Sequence, residues 1–562
     1  METLSSWQKR KRNLEGERDD FQVVGGLEGE RREIIQVQAR CDAIYNKDAP
    51  ILTLPIEIAC LIFREAHSVI EVTRKDNQIK VHLTEIVISH VCRQWRSAAV
   101  GLPILWSSFY YHAPSATYAA LSRFKTYLER SKLSLLELWL DFRQAIPDCE
   151  LNLAVLDVAL TVVSRWRLVS IFSDGNSPNL TSPSKFIRLK LKELHAPHLE
   201  HLGVYPSLFF ENKTNLASRN CLGPHIFAEG APRLKSLWLD TSAPNFCLPP
   251  LSGVTTLRIE CSTHPTKLVF SLDTLRAILT LPNLENLSTF ETLCESDDVM
   301  EGMLEGIPLI PMERLKHLRL RCDDAVFYLL RIVRAPLLET IMSQNATISM
   351  GYDHHAQGAI YSFPSLTSLV LIDVTCDSLD SLRNFMEMTS AVRHITIIHR
   401  GDTSVFDGVL CTMHYSSNQN PFWLHLEILT VDFELHTFDT EIEKAFSVFL
   451  ESHQRRDVDL TVRISDIQVM AWKRDADHEP GMKVSAWKTR RSRHAMYATV
   501  AELCTIETFP LKEWYDPEPW PPGGDGVLGR RINLEPSPLD RDILADPLLA
   551  YFMISPTSFP IE

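Results

Sequence analysis

The chain has 562 residues, 45% of them hydrophobic, and carries a formal net charge of −14. This length is too great for one compact core and the hydrophobic content excludes wholesale disorder, so we expect several domains or a solenoid. The acidic balance argues against a dedicated nucleic-acid-binding protein, because contacts to phosphates require Lys and Arg in excess.

The N-terminal segment, residues 1–49, is predicted to be mobile and charged and to end in a short helix. It lacks the apolar core of a secretory signal, and the chain has no run of 18 apolar residues. The 12 cysteines form no C-x-x-C pair, which favours thiols in a reducing compartment. We therefore expect an intracellular protein with no membrane partner. Basic runs at 9–12 and 488–493 leave cytoplasmic and nuclear placement open.

A small helical domain is predicted over residues 50–112. Its first helix begins at Pro55, which suits a first helical turn, and carries an apolar stripe around Ile58 and Ile62. A second helix is predicted over about 84–99 from apolar residues at helical spacing. The two helices carry more apolar surface than so small a domain can bury, which favours a docking surface for a partner over a catalytic site.

From about residue 133 a short phrase recurs, an apolar residue followed three and five positions later by two more, as in Leu234, Leu237 and Leu239. Nine full copies and two degraded ones occur, and several have a proline two residues before the first apolar position, as in APRLKSLWL. Such a recurrence is typical of a solenoid in which each copy gives one strand of a parallel array. The alternative is a generic α/β domain with Leu-rich strands. We predict the solenoid over 113–505 and a Pro-rich tail over 506–562.

The segment from Leu54 to Phe109 resembles an F-box, in the F-box-like variant of expanded fungal families. The matching motifs are LP-x-E-I at the start of the first helix and VCRQWRSAA-x-x-LPILW at the end of the domain. The recurring phrases resemble the irregular leucine-rich repeats that often follow an F-box. The resemblance implies an α/β chain with a small α-helical F-box and a leucine-rich-repeat solenoid. The chain departs from the family at residues 67–83, an insertion between the two helices.

The resemblance also implies a function. An F-box docks on the Skp-type linker subunit of a cullin-RING ubiquitin ligase, and the repeats hold a substrate protein. Such an adaptor is not an enzyme, and it brings the substrate near a charged conjugating enzyme. Two alternatives are a scaffold of the same architecture that acts outside ubiquitination and an enzyme built on α/β units. The predicted linker-docking residues are Leu54, Pro55, Ile58, Ile62, Val91, Trp95, Leu102, Pro103 and Trp106.

Two of these docking residues, Val91 and Trp95, have a competing interpretation as core of the helical domain. Substrate contacts are predicted on the strands, where the residues that alternate with the apolar ones should face a concave surface. Their arginines suit an acidic or phosphorylated segment, although an ordinary solvated strand face is the alternative. The substrate-facing candidates are Trp238, Arg258, Arg319 and Arg321.

Metal and cofactor chemistry is not expected. His195, His198 and His201 lie three residues apart, but the phrase overlaps a repeat and no Cys or carboxylate completes a ligand set at the usual spacing. No G-x-S-x-G or H-E-x-x-H motif occurs, so the sequence offers no nucleophile or metalloprotease pattern.

Overall fold

The computed structural model of the chain describes residues 35–38, 40–41, 51, 53–68, 72–75, 78–81, 83–112, 118–142, 150–173, 189–206, 224–239, 247–260, 272–290, 309–321, 325–348, 362–399, 422–433, 447–451, 459–466, 498, 500–509 and 520–521. The predicted mobile N-terminus and most of the predicted tail therefore lie outside the described residues. The chain divides into two compact units. Unit 1 comprises Met1–Ser107 and Tyr127–Ser134, and unit 2 comprises Ser108–Thr126 and Leu135–Glu562.

Unit 1 is a small helical unit with one hairpin. Its elements are α1 (Ile56–Ser68), the antiparallel strands β1 (Val72–Lys75) and β2 (Gln78–Val81), α2 (Thr84–Val91), α3 (Arg93–Gly101) and a 3₁₀ turn (Pro103–Trp106). The predicted insertion at 67–83 thus contains the hairpin.

The single helix predicted over 84–99 is wrong, because the structure has two helices there. Cys92 has extended backbone angles, φ −155° and ψ 171°, and its Sγ accepts a hydrogen bond from the Trp95 N–H at 3.4 Å. The thiol therefore caps α3, and the chain changes direction between α2 and α3.

Unit 2 is built on one large sheet, and its described helices are α4 (Tyr118–Ser131, whose last five residues belong to unit 1), α5 (Glu150–Leu160), α6 (Leu272–Leu279), α7 (Ala325–Ile332) and α8 (Leu379–Met388). Two short parallel pairs lie outside that sheet, β10 (Ile310–Pro311) with β12 (Val333–Arg334) and β14 (Thr347–Ile348) with β16 (Thr375–Cys376).

The large sheet has 14 strands, each lying beside its predecessor and its successor in chain order. All neighbouring pairs run parallel. The strands are β3 (Ser108–His112), β4 (Leu136–Asp141), β5 (Trp166–Ser173), β6 (His201–Pro206), β7 (Ser236–Leu239), β8 (Thr256–Ile259), β9 (Asn286–Phe290), β11 (His317–Arg321), β13 (Thr340–Gln344), β15 (Ser368–Ile372), β17 (His394–His399), β18 (Ile428–Phe433), β19 (Thr461–Ser465) and β20 (Thr505–Phe509).

The prediction of a parallel strand array is confirmed, and every copy of the recurring phrase forms a strand. The sheet extends past the predicted limits, because β3 belongs to it and β20 enters the predicted tail. The register aligns one apolar side chain from every strand into a single row. That row consists of Phe109, Leu138, Val169, Leu202, Leu237, Leu257, Leu287, Leu318, Ile341, Leu369, Ile395, Leu429, Val462 and Ile506.

The first apolar residue of each phrase closes a turn just before its strand. The Leu234 N–H donates to the carbonyl of Ala231 at 3.1 Å, and the Leu338 N–H donates to that of Ala335 at 3.2 Å. Pro232 is the second residue of its turn, where the fixed φ of proline is favourable. This geometry explains the recurring Pro, and it buries Leu234 and Leu338 beneath the sheet. Among the described residues, no helix combines the length and apolar character needed to cross a membrane.

Leu369→Ala should lower the free energy of unfolding by about 2–5 kcal/mol, because it opens a cavity in the apolar row. Leu369 is 0% exposed and lies between Ile341 and Ile395 in the register. Leu337→Ala is the matched control, since it removes the same atoms from a side chain that is 47% exposed. Urea denaturation followed by far-UV circular dichroism measures both variants. Equal destabilisation by the two substitutions would contradict the assigned register.

Candidate functional site

Helix α1 of unit 1 carries two apolar stripes, and its own unit buries only one of them. Ala59 and Phe63 point inward, and the Phe63 ring lies 4.8 Å from the Trp95 ring in an edge-on contact. On the neighbouring stripe Ile58 is 43% exposed and Ile62 is 41% exposed. Because apolar surface left in water is unfavourable, this second stripe has the character of a docking surface.

Helix α2 buries two polar side chains together with Ile88 and leaves two valines outside. Glu85 and Ser89 are buried, whereas Val87 is 65% exposed and Val91 is 50% exposed. The buried Glu85 carboxylate accepts a hydrogen bond from the Tyr127 hydroxyl, which satisfies the inward-facing charge. An isolated water-soluble unit gains nothing from such an arrangement, so the exposed valines favour a partner at this helix.

The docking surface is defined as the exposed apolar side chains on helices α1, α2 and α3, on the 3₁₀ turn, and at Ile51 just before α1. Helices α1, α2 and α3 contact one another, so these residues lie on adjoining elements of one small unit. Six of them were absent from the predicted docking residues, namely Ile51, Ile56, Leu61, Val87, Val100 and Ile104. In the sequence, the only sign of the exposed face of α2 is the i, i+4 spacing of Val87 and Val91. The docking surface consists of Ile51, Ile56, Ile58, Leu61, Ile62, Val87, Val91, Val100 and Ile104.

Eight of the nine predicted linker-docking residues are exposed or half-buried. Four of them are exposed, namely Pro55, Ile58, Ile62 and Val91. Four others are half-buried, namely Leu54, Trp95, Leu102 and Pro103. The exposure of Val91 contradicts its interpretation as core, whereas the contact of Trp95 with the buried Phe63 supports the core interpretation for that residue.

The prediction that Trp106 contacts a partner is wrong, because its side chain is 1% exposed. Its indole N–H donates to the carbonyl of Ala99 at 2.8 Å, and its ring meets Tyr127 edge-on at 5.1 Å. The guanidinium of Arg130 lies 4.3 Å from the ring centre. Trp106 is therefore part of the core of unit 1. Its apolar character in the sequence did not distinguish it from the apolar residues that are exposed.

The prediction that Trp238, Arg258 and Arg319 are exposed to a substrate is also wrong. The three side chains are 2%, 3% and 5% exposed. They lie in one cross-strand row, in which Ser288 separates the two arginines. Alternation along the strand placed them on the correct face of the sheet, opposite the apolar row, but it could not reveal that this face is covered. The side chain of Arg321 lies outside the described residues.

Four residues on this polar face form a hydrogen-bonded arginine cluster, defined as Arg258, Glu260, Ser288 and Arg319. Arg258 donates to both carboxylate oxygens of Glu260, from Nε at 3.0 Å and from a terminal nitrogen at 2.9 Å. Arg319 donates to Glu260 as well, and its Nε donates to the Ser288 hydroxyl at 2.9 Å. One carboxylate thus accepts hydrogen bonds from two guanidinium groups.

Burial alone would raise the pKa of Glu260, but the charges of Arg258 and Arg319 and the hydrogen bonds from Arg258 and Ser288 lower it to about 2. Glu260 is therefore ionised at neutral pH. Burial and the charge of Arg258 lower the pKa of His201 to about 3, so its imidazole is neutral. The His201 Nδ1 lies 3.0 Å from the Ser236 hydroxyl.

Two tryptophans lie against the arginine cluster. The Trp238 ring centre is 3.5 Å from the guanidinium carbon of Arg258. The Trp520 ring centre, from the predicted Pro-rich tail, is 4.8 Å from that of Arg319 and 5.8 Å from that of Arg258. All three distances fall within the range of cation–π attraction. The cluster therefore has aromatic contacts from both the sheet and the tail.

Within the described ranges, no group of three His, Cys, Asp or Glu side chains is arranged to hold a metal ion. His195 instead contacts the backbone carbonyl of Glu229 at 2.9 Å, away from the buried His201. Comparisons of the whole chain with protein-family models and with curated proteins gave no match.

Glu260→Gln should destabilise unit 2 by about 3–5 kcal/mol, because two buried guanidinium groups would lose their counter-charge. Glu285→Gln is the matched control, since Glu285 pairs with Lys316 at 3.0 Å on a partly exposed edge. Exposed pairs contribute about 0–1 kcal/mol, so the control should change stability little. Urea denaturation measures both variants, and similar effects would contradict a structural role for the cluster.

The difference in stability between the wild type and Glu260→Gln should depend on pH. The folded-state pKa of Glu260 is about 2, against an ordinary value of 4.5. The contribution of the carboxylate is therefore complete above about pH 4.5 and is lost as the pH falls towards 2. Denaturation at stepped pH values should show the two proteins converging in acid. A difference that stays constant down to pH 2 would contradict the assigned charge state.

Proposed function

We propose that this chain is the substrate-receptor subunit of an SCF-type cullin-RING ubiquitin ligase. In this proposal the docking surface of unit 1 binds the Skp-type linker subunit, and the sheet of unit 2 binds a substrate protein. The observation that carries the proposal is the pair of unsatisfied apolar faces on α1 and α2. The F-box-like motif at Leu54–Ile58 leads into α1, and the motif at Val91–Trp106 runs from the end of α2 through α3 to the 3₁₀ turn.

The energetics of the docking surface support association with a partner. Covering an aliphatic side chain contributes about 1.5–3 kcal/mol for full burial, and roughly half of that remains available at residues that are 40–65% exposed. Ile58 and Ile62 are one helical turn apart, as are Val87 and Val91, so each pair presents a ridge that fits a groove between partner helices. These two pairs together contribute about 3–6 kcal/mol. The entropic cost of association is about 4–15 kcal/mol, so a stable interface also needs the other exposed residues of the docking surface.

The role of such an adaptor is positional. Holding a substrate lysine near a charged conjugating enzyme raises its effective concentration without any chemistry in the adaptor itself. The long parallel sheet suits this role, because its in-register strands form a rigid platform whose polar face carries the arginine cluster. Side chains on a rigid platform lose little entropy when a partner binds.

A binding scaffold that acts outside ubiquitination is the second candidate. The hairpin β1–β2 directly follows α1, between the two helices that an F-box places closer together. This insertion favours the scaffold if it keeps the linker from reaching α1. Co-purification with the linker and the cullin separates the two candidates.

Ile58→Asp combined with Ile62→Asp should abolish co-purification with the Skp-type linker, because two charges cannot be buried in an apolar groove. Both side chains are exposed, so unit 1 should keep its fold. Leu337→Asp is the matched control, because Leu337 is an exposed leucine of unit 2. The measurement is affinity capture of tagged chain from cells, with the linker quantified by mass spectrometry.

Two outcomes of that capture would count against the proposal. Retention of the linker by the double variant would show that the docking surface is not the interface. Absence of the linker from the wild-type capture, with other proteins lost specifically in the double variant, would favour the scaffold.

A further inference from the structure

The docking surface of unit 1 is not uniform in charge. On α1 the exposed charged residues are of both signs, namely Glu57, Arg64 and Glu65. On α2 and α3 the exposed ionisable residues are all bases, namely His90, Arg93 and Arg96. Glu85 is the one acidic residue in the sequence from 84 to 101, and its side chain is buried. The α2–α3 half of the docking surface is therefore basic, although the whole chain has a net charge of −14.

Basic and apolar side chains share the outward face of α3. Arg93, Arg96 and Val100 follow one another at steps of three and four residues, so they lie on one side of the helix. The opposite side carries Trp95, which packs against Phe63, and the buried Ala99. A partner that covers Val100 therefore also comes close to the two guanidinium groups.

Helix α2 has the same combination on its exposed side. His90 and Val91 lie three and four residues after Val87, so the three side chains share one face. The Arg96 Nε donates to the carbonyl of Ser89 at 2.8 Å, which holds that guanidinium against the last turn of α2. The valines and the basic groups thus belong to one area that extends over both helices.

Arg93 occupies a position that its own helix does not favour. It is the first residue of α3, directly after the cap Cys92, and the first turn contains no acidic residue. The N-terminal end of a helix carries a partial positive charge, so a cation is unfavourable there. The Arg93 guanidinium makes no hydrogen bond or ion pair with any described residue. A residue that opposes local helix stability without a partner in the described part of its chain is typical of a binding contact.

We propose that the α2–α3 half of the docking surface binds a protein segment whose apolar side chains are bordered by carboxylates, and that Arg93 contacts one of these carboxylates. This inference rests on the proposed function in that it takes the docking surface as an interface. A guanidinium pairs with a carboxylate through two parallel hydrogen bonds. Complementary charges increase the association rate and select the partner, whereas the valines provide the apolar contact.

An anionic membrane also combines apolar and negatively charged groups, but the chain does not suit it. The net charge of −14 opposes approach to a negatively charged lipid surface. The apolar face is divided between two helices of eight and nine residues, whereas many membrane-surface helices have about 20–30. We therefore assign the surface to an acidic protein segment.

The test uses two synthetic amphipathic helical peptides on a biosensor and the purified full-length chain. Both peptides have leucine at every apolar position, and their polar positions are glutamate in one and glutamine in the other. At about 0.05 M NaCl the association rate constant should be about tenfold higher for the glutamate peptide. At about 0.5 M NaCl the two rate constants should become equal, because salt screens exposed charges. Equal rate constants at low salt, or no binding of either peptide, would overturn the proposal.

Arg93→Glu should remove the advantage of the glutamate peptide, and Arg93→Lys should keep it. Arg233→Glu is the matched control, since it makes the same charge change at an exposed arginine of unit 2 and should leave the advantage intact. Arg93→Glu should unfold in urea at a midpoint no lower than that of the wild type, because a carboxylate suits the first turn of α3. A lower midpoint would indicate a structural role for Arg93. That result, or equal effects of Arg93→Glu and Arg233→Glu on the peptides, would overturn the assignment.

The outcomes separate this inference from the proposed receptor function. The peptide assay contains no linker subunit, so failure to capture the linker would overturn the receptor function alone. A linker that is captured normally, together with equal binding of the two peptides, would overturn this inference alone. Vesicles of phosphatidylserine and phosphatidylcholine should not co-sediment with the chain. Vesicle binding that Arg93→Glu abolishes would overturn the assignment to a protein partner.

Discussion

A single row of apolar side chains, one from each of 14 parallel strands, holds the large sheet in register. Each of these side chains is flanked along its strand by residues that face the opposite side. A slip of one residue in any strand would turn a charged residue such as Arg258 into the apolar interior. The turns that end at residues such as Leu234 prevent this slip, because they fix where each strand begins. The polar face, with its buried charges, can exist only because this row is continuous.

Much of this sheet could be predicted from the sequence, because each strand is marked by apolar residues that lie only a few positions apart in the chain. Nine strands carry the full spacing of a turn residue and two strand residues, and in β9 and β13 a polar residue stands at the last position. Of the strands that were missed, β19 lacks the first position, β20 lacks the last, and β3 has all three but lies inside the segment assigned to the F-box. In β19, Val462 and Ile464 alternate correctly, but no turn leucine precedes them at the repeat spacing. The break between α2 and α3 was missed for a different reason, since a cysteine seldom caps a helix and Cys92 fits the apolar pattern of a continuous one.

The candidate sites were harder to predict, because periodicity shows which way a side chain points and not what covers it. Trp106 and Val91 both fit an apolar helical face, yet one is internal and the other is exposed. Their difference depends on Tyr127 and Arg130, which come from a later helix. Likewise Arg319 was placed on the correct face of its strand, but the ring that covers it comes from Trp520. Burial is a property of distant parts of the chain, so local patterns cannot supply it.

The two candidate sites therefore differ in the free energy that a partner gains by binding to them. The docking surface is apolar and already exposed, so a partner that covers it gains free energy without first displacing any part of this chain. The arginine cluster is charged and buried, so a partner could reach it only after the side chains around it had moved. On the proposed function the docking surface is therefore the better candidate for the lasting contact with the ligase.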